Sequence, residues 1–370
     1  MQQSNLSIYV FTYLIIPFIL LYYSKIGNNP NFLSKDNTNQ IKGLMILIVI
    51  LHHISQRMIS PGLMYPFLFF GYLAVSVFMF FSGYGLTMSQ QRKDYFFKTF
   101  LSKRFNRVYV PFILINIITI ILYTTLLNEQ YTVSNIISYI VGTALIDPIT
   151  WYVITIILSY IYYYIVFSRF SKQAALKLLT VFSLSYCLFC MYIGLKNYWY
   201  VSIFAFPFGV YVSLNFEKIY NILQSKKTLF TSVVVFSFVF GISTSAHFIC
   251  INILKSGEIF TNLIVWVCYV ASSTLFVICV LVLMTKIEFR SKVFAFLGLI
   301  SYEIYLVHMK IYTLYSNYSN INISYNICYY ILLVVITSAA FKEIVDKCFN
   351  FNFMKRHELV SDNKLKSKTR

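Results

Sequence analysis

Charge is scarce in this sequence. Only 11% of its 370 residues are Asp, Glu, Lys or Arg, where a soluble globular chain carries about 25%, and acids are the scarcer sign, with 12 Asp plus Glu against 30 Lys plus Arg. That is too little charge to cover a water-facing surface. The seven cysteines lie in or beside apolar runs, and the one C-x-x-C, Cys187 and Cys190, has no second pair and no histidine set. Neither zinc nor a redox dithiol is indicated; small buried hydrophobes are expected. No basic residue precedes the first apolar run, Ser7 to Tyr23, and no small-residue cleavage site follows it, so a cleavable signal peptide is not expected. No internal repeat is visible, which speaks against an inverted-repeat transporter. No G-x-S-x-G surrounds Ser82, so a serine-hydrolase elbow is unsupported; with Gly83 and Gly85 beside it, Ser82 suits close helix approach better.

What the chain has is apolar length. It is 59% apolar and 19% aromatic, with a mean hydropathy of +0.71, and reads as an all-α, polytopic integral membrane bundle. Spans are predicted at 8–23, 43–59, 64–88, 108–127, 151–168, 175–193, 199–214, 229–250, 261–285, 294–316 and 323–345. A shorter run, 133–146, is ambiguous. If it does not cross, every Lys and Arg except Arg57, Lys196, Lys255 and Lys310 falls on one side; if it crosses, that asymmetry collapses. The positive-inside rule therefore predicts eleven spans, an external N-terminus, a cytoplasmic C-terminus, and a short external re-entrant or surface helix near 133–146. The net charge of +18 is a topology signal of this kind, spread over short loops, and not a nucleic-acid footprint. Three segments are predicted: 1–39, an extra N-terminal transmembrane helix and cytoplasmic loop; 40–345, the transmembrane domain; and 346–370, a basic, disordered cytoplasmic tail.

The stretch Lys42 to Ser55, KGLMILIVILHHIS, stands out because it carries two histidines in an apolar run. An imidazole at membrane depth faces protein or a water-filled cavity and marks a candidate functional site. On a helix, Lys42 and His53 are eleven residues apart, three turns with a 20° offset, so they share a face at about 16 Å axial separation. His52 points roughly 80–100° away.

This stretch also resembles the opening motif of the acyltransferase type 3 family, R-x10-H, with Lys42 in the arginine position and His53 as the histidine. Phe80, Phe81, Ser82, Gly83 and Tyr84 resemble that family's F-F-x-x-S-G-[FY]. Arg104, Arg107 and Pro111 are similar to its R-x-x-R-x-x-x-P motif, Trp151-Tyr152 to its W-[FY]-L span start, and Phe206–Tyr211 more weakly to a further segment. LGLISYEIYLVH, Leu297 to His308, resembles its final signature. The motifs occur in family order over 40–345. The resemblance implies a core of ten helices, here with an N-terminal helix added, in the standalone form without a fused extracytoplasmic esterase-like domain. It implies an O-acyltransferase using cytoplasmic acetyl-CoA, without a metal, and a cell-surface or lipid-linked carbohydrate hydroxyl as acceptor, in a bacterial inner membrane.

Within that reading the catalytic candidates are His53, Glu303 and His308. Histidine serves as general base or acyl carrier at neutral pH. Glu303, the one acid well inside a span, would orient a histidine or pair structurally with Lys310 or Arg57. Packing hydrogen bonds are the competing role for both histidines. Donor-binding candidates are Arg104 and Arg107, three apart on one helix face and able to fork onto CoA phosphates, with Lys42 as a point charge. The same cations also serve as topology determinants or headgroup contacts, and Lys42 as a snorkelling side chain. Acceptor-binding candidates are Trp151, Tyr302, Tyr305 and Arg57, Trp151 being equally suited to anchor the interface. Gly298, Ser301, Tyr305 and His308 fall within an 80° sector if their span is one helix. The rival class is an exporter of polysaccharide or lipid-linked glycan, which needs a continuous polar path that these nearly uncharged spans do not suggest. The lipid bilayer is the one partner composition demands; nucleic acid is not one, and the oligomeric state is open.

Overall fold

A computed structural model describes residues 6–92, 96–255, 257–318 and 326–366. It is a helical membrane bundle. A short apolar helix, α1 (Leu6–Tyr22), leads through strand β1 (Ser24–Ile26) into α2 (Lys35–Ser55) and α3 (Gly71–Arg92). There follow α4 (Phe97–Leu126), the short α5 (Val133–Val141), α6 (Trp151–Phe167), α7 (Lys172–Tyr192), α8 (Ala205–Leu214) and α9 (Phe216–Leu223). The chain closes with α10 (Lys227–Ile253), α11 (Glu258–Lys286), β2 (Ile287–Phe289), α12 (Lys292–Leu299), α13 (Ser301–Tyr318) and α14 (Ile327–Lys366). The end of the tail, residues 367–370, lies outside the described residues.

Among the described residues seven helices are long and apolar enough to cross a membrane, or eight if α12 and α13 count as one bent span. The eleven spans read from the sequence differ for local reasons. Helix α1 has 17 residues and α8 has 10. Helix α2 starts eight residues earlier than the predicted span, where Ser34 caps it by accepting from the Asn37 amide, and its first turns are polar yet buried. Their amides find partners: Gln40 donates to the Phe289 carbonyl at 2.6 Å and accepts from the Ser291 amide at 2.7 Å, and Asn37 donates to the Asn31 carbonyl at 2.9 Å. The predicted 294–316 span breaks at Ile300 with a 78° bend. Gly298 is therefore on a different helix from Ser301, Tyr305 and His308, and the four-residue stripe does not exist as one face.

The 133–146 run forms α5, which is too short to cross. Thr132 and Asn135 make a reciprocal capping box at its start, Gly142 closes it in the left-handed conformation, and Asn116 and Tyr109 of α4 bond to its carbonyls. At the other end of the bundle β1 and β2 pair antiparallel, with Lys25 opposite Glu288.

Helix α3 is the most enclosed of the spans, with 72% of its apolar window buried against 17% for α10. Two glycine contacts set the centre. A Cβ at Gly43 would strike the Phe294 carbonyl and one at Gly298 the Asn39 carbonyl, so α2 and α12 pack backbone to backbone; Gly83 and Gly209 do the same for α3 and α8.

Candidate functional site

One cavity of about 1410 Å³ opens between α2, α3, α4, α6, α12, α13 and α14. Along α2 its wall is formed by Lys35, Lys42 and Val49, whose seven-residue steps keep them on one face, so the cavity follows the helix for about 21 Å. Charge is concentrated on its wall: Lys35, Lys42, Lys103, Arg104, Arg107 and Lys342 line it, against Glu303 and Asp346. The other end is apolar and aromatic, formed by Val49, Ile156, Tyr152 and Tyr305.

Arg104 and Arg107 do line the cavity together, but not on the regular helix their spacing suggested. Residues Phe105–Tyr109 form a π-helical segment between two α-helical stretches, a widening that often occurs at functional sites. Arg107 is exposed, while Arg104 is half-buried, with its guanidinium 5.3 Å from the Tyr160 ring centroid and 5.8 Å from that of Phe100. The Tyr160 hydroxyl is 2.5 Å from Ser82 Oγ. Lys42 lies 5.8 Å from the Phe81 ring.

Beyond the aromatic end, and not lining the cavity, is a pair of histidines. His53 is one turn past Val49 on α2, and its ring centroid lies 5.4 Å from that of His308 on α13. His308 Nδ1 is 3.0 and 2.9 Å from the carbonyl oxygens of Ile304 and Tyr305. Carbonyls only accept, so Nδ1 carries the proton and Nε2 is left as a lone-pair acceptor; it is buried without a hydrogen-bond partner among the described residues. His53 Nδ1 is 3.1 Å from Gln56 Oε1, which directs its Nε2 lone pair away from that amide. His52 has a structural role. It donates from Nδ1 to the Phe67 carbonyl at 2.8 Å and packs on Gly71, where a Cβ would strike the ring.

The remaining sequence candidates divide between the two compartments. Tyr302 and Tyr305 line the cavity, their hydroxyls donating to the carbonyls of Val108 and Ile149. Arg57 is at the histidine end, donating to the His53 carbonyl at 3.1 Å and lying 5.0 Å over the Tyr312 ring. Trp151 does not line the cavity; it packs among Tyr152, Tyr198 and Trp199.

Glu303 corrects an expectation. It pairs with Lys342 at 3.3 Å and lines the cavity, not with Lys310 or Arg57, and it does not orient a histidine. Five residues separate it from His308, which on a helix is 140° of rotation. Lys310 instead meets Asp147 at 3.7 Å. The sequence reading missed Asp147, Tyr160 and the cavity cations Lys35, Lys103 and Lys342. The cations were visible only as members of basic loops, and nothing local marked Asp147 as the partner of a buried lysine. Among the described residues no cluster of three or more His, Cys, Asp or Glu could hold a metal ion.

Comparison with known proteins gives one result. The sequence model of a family described as "Acyltransferase domain" matches residues 36–341, a segment containing the histidine pair and all the cavity's lining residues except Lys35, Lys342, Val345 and Asp346. No curated protein and no solved structure matches the chain.

Proposed function

The chain belongs to the acyltransferase family whose domain spans residues 36–341, and from that premise we propose that it is a multi-pass membrane O-acetyltransferase moving an acetyl group from acetyl-CoA to a carbohydrate hydroxyl. The observation that carries this reading is the arrangement of the site. Six cations line a cavity whose aromatic end lies one helical turn from the His53–His308 pair.

The donor set suits a nucleotide thioester. Two guanidinium forks and several ammonium groups match phosphate oxygens, while the length of the cavity along α2 suits a narrow, largely apolar arm. The cations come from loops that the positive-inside rule assigns to one side, so the charged mouth faces the cytoplasm and the histidine pair lies toward the outside. Helices α1, α2 and α8 then complete an eleven-span topology.

Acetyl-CoA supplies an activated acyl group. Arg104 and Arg107 hold the donor's phosphates, assisted by Lys42. A hydroxyl placed at the histidine pair loses its proton to His53 Nε2, its oxygen bonds to the thioester carbonyl carbon, the C–S bond breaks, and the proton leaves with the thiolate. His308, whose Nε2 can only accept, stabilises the protonated His53 or orients the hydroxyl. Glu303 acts in the cavity through Lys342, and Arg57, Tyr302, Tyr305 and Trp151 shape the approach of substrates.

The test uses the full chain in proteoliposomes or cells with radiolabelled acetyl-CoA and surface glycan as acceptor. Label should move to glycan with wild type and fall sharply with His53→Ala. Undiminished labelling in His53→Ala would sink the assignment, and glycan delivered across the membrane unmodified would establish the exporter instead.

A further inference from the structure

Two tyrosine rings, of which Tyr305 is pinned by a hydrogen bond, narrow the aromatic end of the cavity. Tyr305 is buried, and its hydroxyl donates to the carbonyl of Ile149. That carbonyl belongs to a turn which is itself fixed: Asp147 Oδ1 accepts from the Ile149 amide at 3.4 Å, and Thr150 Oγ1 donates to the Asp147 carbonyl at 2.7 Å. Tyr152 follows the same turn and meets the Tyr305 ring edge-on, with centroids 5.6 Å apart at 77°. Behind Tyr152 stands Trp151, 6.2 Å away. Behind Tyr305 stands the His308 imidazole, 6.3 Å away. Both rings line the cavity, whereas neither histidine does.

From this geometry we infer that Tyr152 and Tyr305 set the length of acyl group the protein transfers, admitting acetyl and excluding longer chains. The inference rests on the acyltransferase reading. An acyl group that reaches this narrowing with its carbonyl toward the histidine pair has its terminal carbon beside the two rings, and each added methylene needs space those rings occupy. Close-packed aromatic walls yield poorly to extra volume. A rigid apolar surface discriminates by about 10- to 200-fold per methylene. Removing either ring opens space toward a neighbouring aromatic layer without touching the cationic mouth.

The experiment measures transfer from acetyl-, propionyl- and butyryl-CoA, and binding of the same three donors in competition, for wild type, Tyr305→Ala and Tyr152→Ala. Wild type should prefer acetyl over butyryl by about 10-fold or more, and each alanine variant should lower that ratio by about 10-fold. Because the ratio is read within each variant, loss of total activity does not obscure it, and competition binding reads it where turnover is lost. Wild type that uses or binds butyryl-CoA as well as acetyl-CoA overturns the inference, as does an unchanged ratio in both alanine variants. Wild type that neither transfers nor binds any of the three overturns the acyltransferase reading, and this inference with it.

Discussion

The imidazoles of His53 and His308 face each other with centroids 5.4 Å apart and planes 33° from parallel, and they do so from two helices, α2 and α13, distant in sequence. The two rings have different hydrogen-bond partners. Two backbone carbonyls fix the His308 tautomer, whereas the His53 ring hydrogen-bonds the side chain of Gln56.

Replacing His53 by alanine or glutamine should lower acyl transfer by about 10²–10⁴-fold, the usual contribution of general acid–base catalysis. Gln56→Leu should lower it less, because the ring remains but loses the group that orients it. Rates measured at saturating donor check both, and a rate for Gln56→Leu below that of His53→Ala would reverse the assigned roles.

Arg104→Lys and Arg107→Lys keep charge but lose the fork. Each should weaken donor binding by about 10- to 150-fold, in line with ~1.5–3 kcal/mol for a hydrogen bond to a charged group, while changing the saturated rate little. Wild-type affinity should also fall with added salt, since the exposed part of the cationic mouth is screened. Calorimetry or filter binding across a salt series reads both effects.

Lys310 is 4% exposed and its partner across the 3.7 Å ion pair is Asp147. Lys310→Met or Asp147→Asn alone strands a buried charge and should cost about 3–5 kcal/mol. The double replacement Lys310→Met with Asp147→Asn should recover most of that. Thermal unfolding in detergent, read as a double-mutant cycle, is the measurement; additive losses would show the pair to be uncoupled.

Gly43→Ala and Gly298→Ala place a methyl into a backbone carbonyl of the partner helix, while at Gly85 a Cβ would meet nothing within 4 Å. The first two should destabilise by about 1–3 kcal/mol and Gly85→Ala should not. Gly71→Ala should displace His52, lowering stability with little change in donor affinity. Melting temperatures of the four variants, set beside donor binding, test this.

Much of this was legible in the sequence because membranes impose one-dimensional rules. Apolar runs located most helices, and the cation distribution kept α5 out of the membrane-crossing set. Lys42, Arg104 and Arg107 were readable as one group, and His53 was separable from His52 by helical rotation. Where prediction departed, the cause was tertiary. Helix α2 buries polar turns because distant residues at 289 and 291 satisfy them, and the bend at Ile300 interrupts a pattern that is continuous in sequence.

Composition and periodicity by themselves determined a helical membrane bundle, a cationic side, and a short list of polar residues too costly to leave in lipid without a purpose. Only the tertiary structure decided which of them meet. It sent Glu303 to Lys342 and Lys310 to Asp147, brought His308 to His53, and set the cavity-lining Tyr305 beside His308. Hydropathy and helical spacing are properties of one segment in a solvent, whereas a pairing depends on which helix approaches which face. Here that choice lies in close glycine contacts and satisfied buried amides, which no single segment displays.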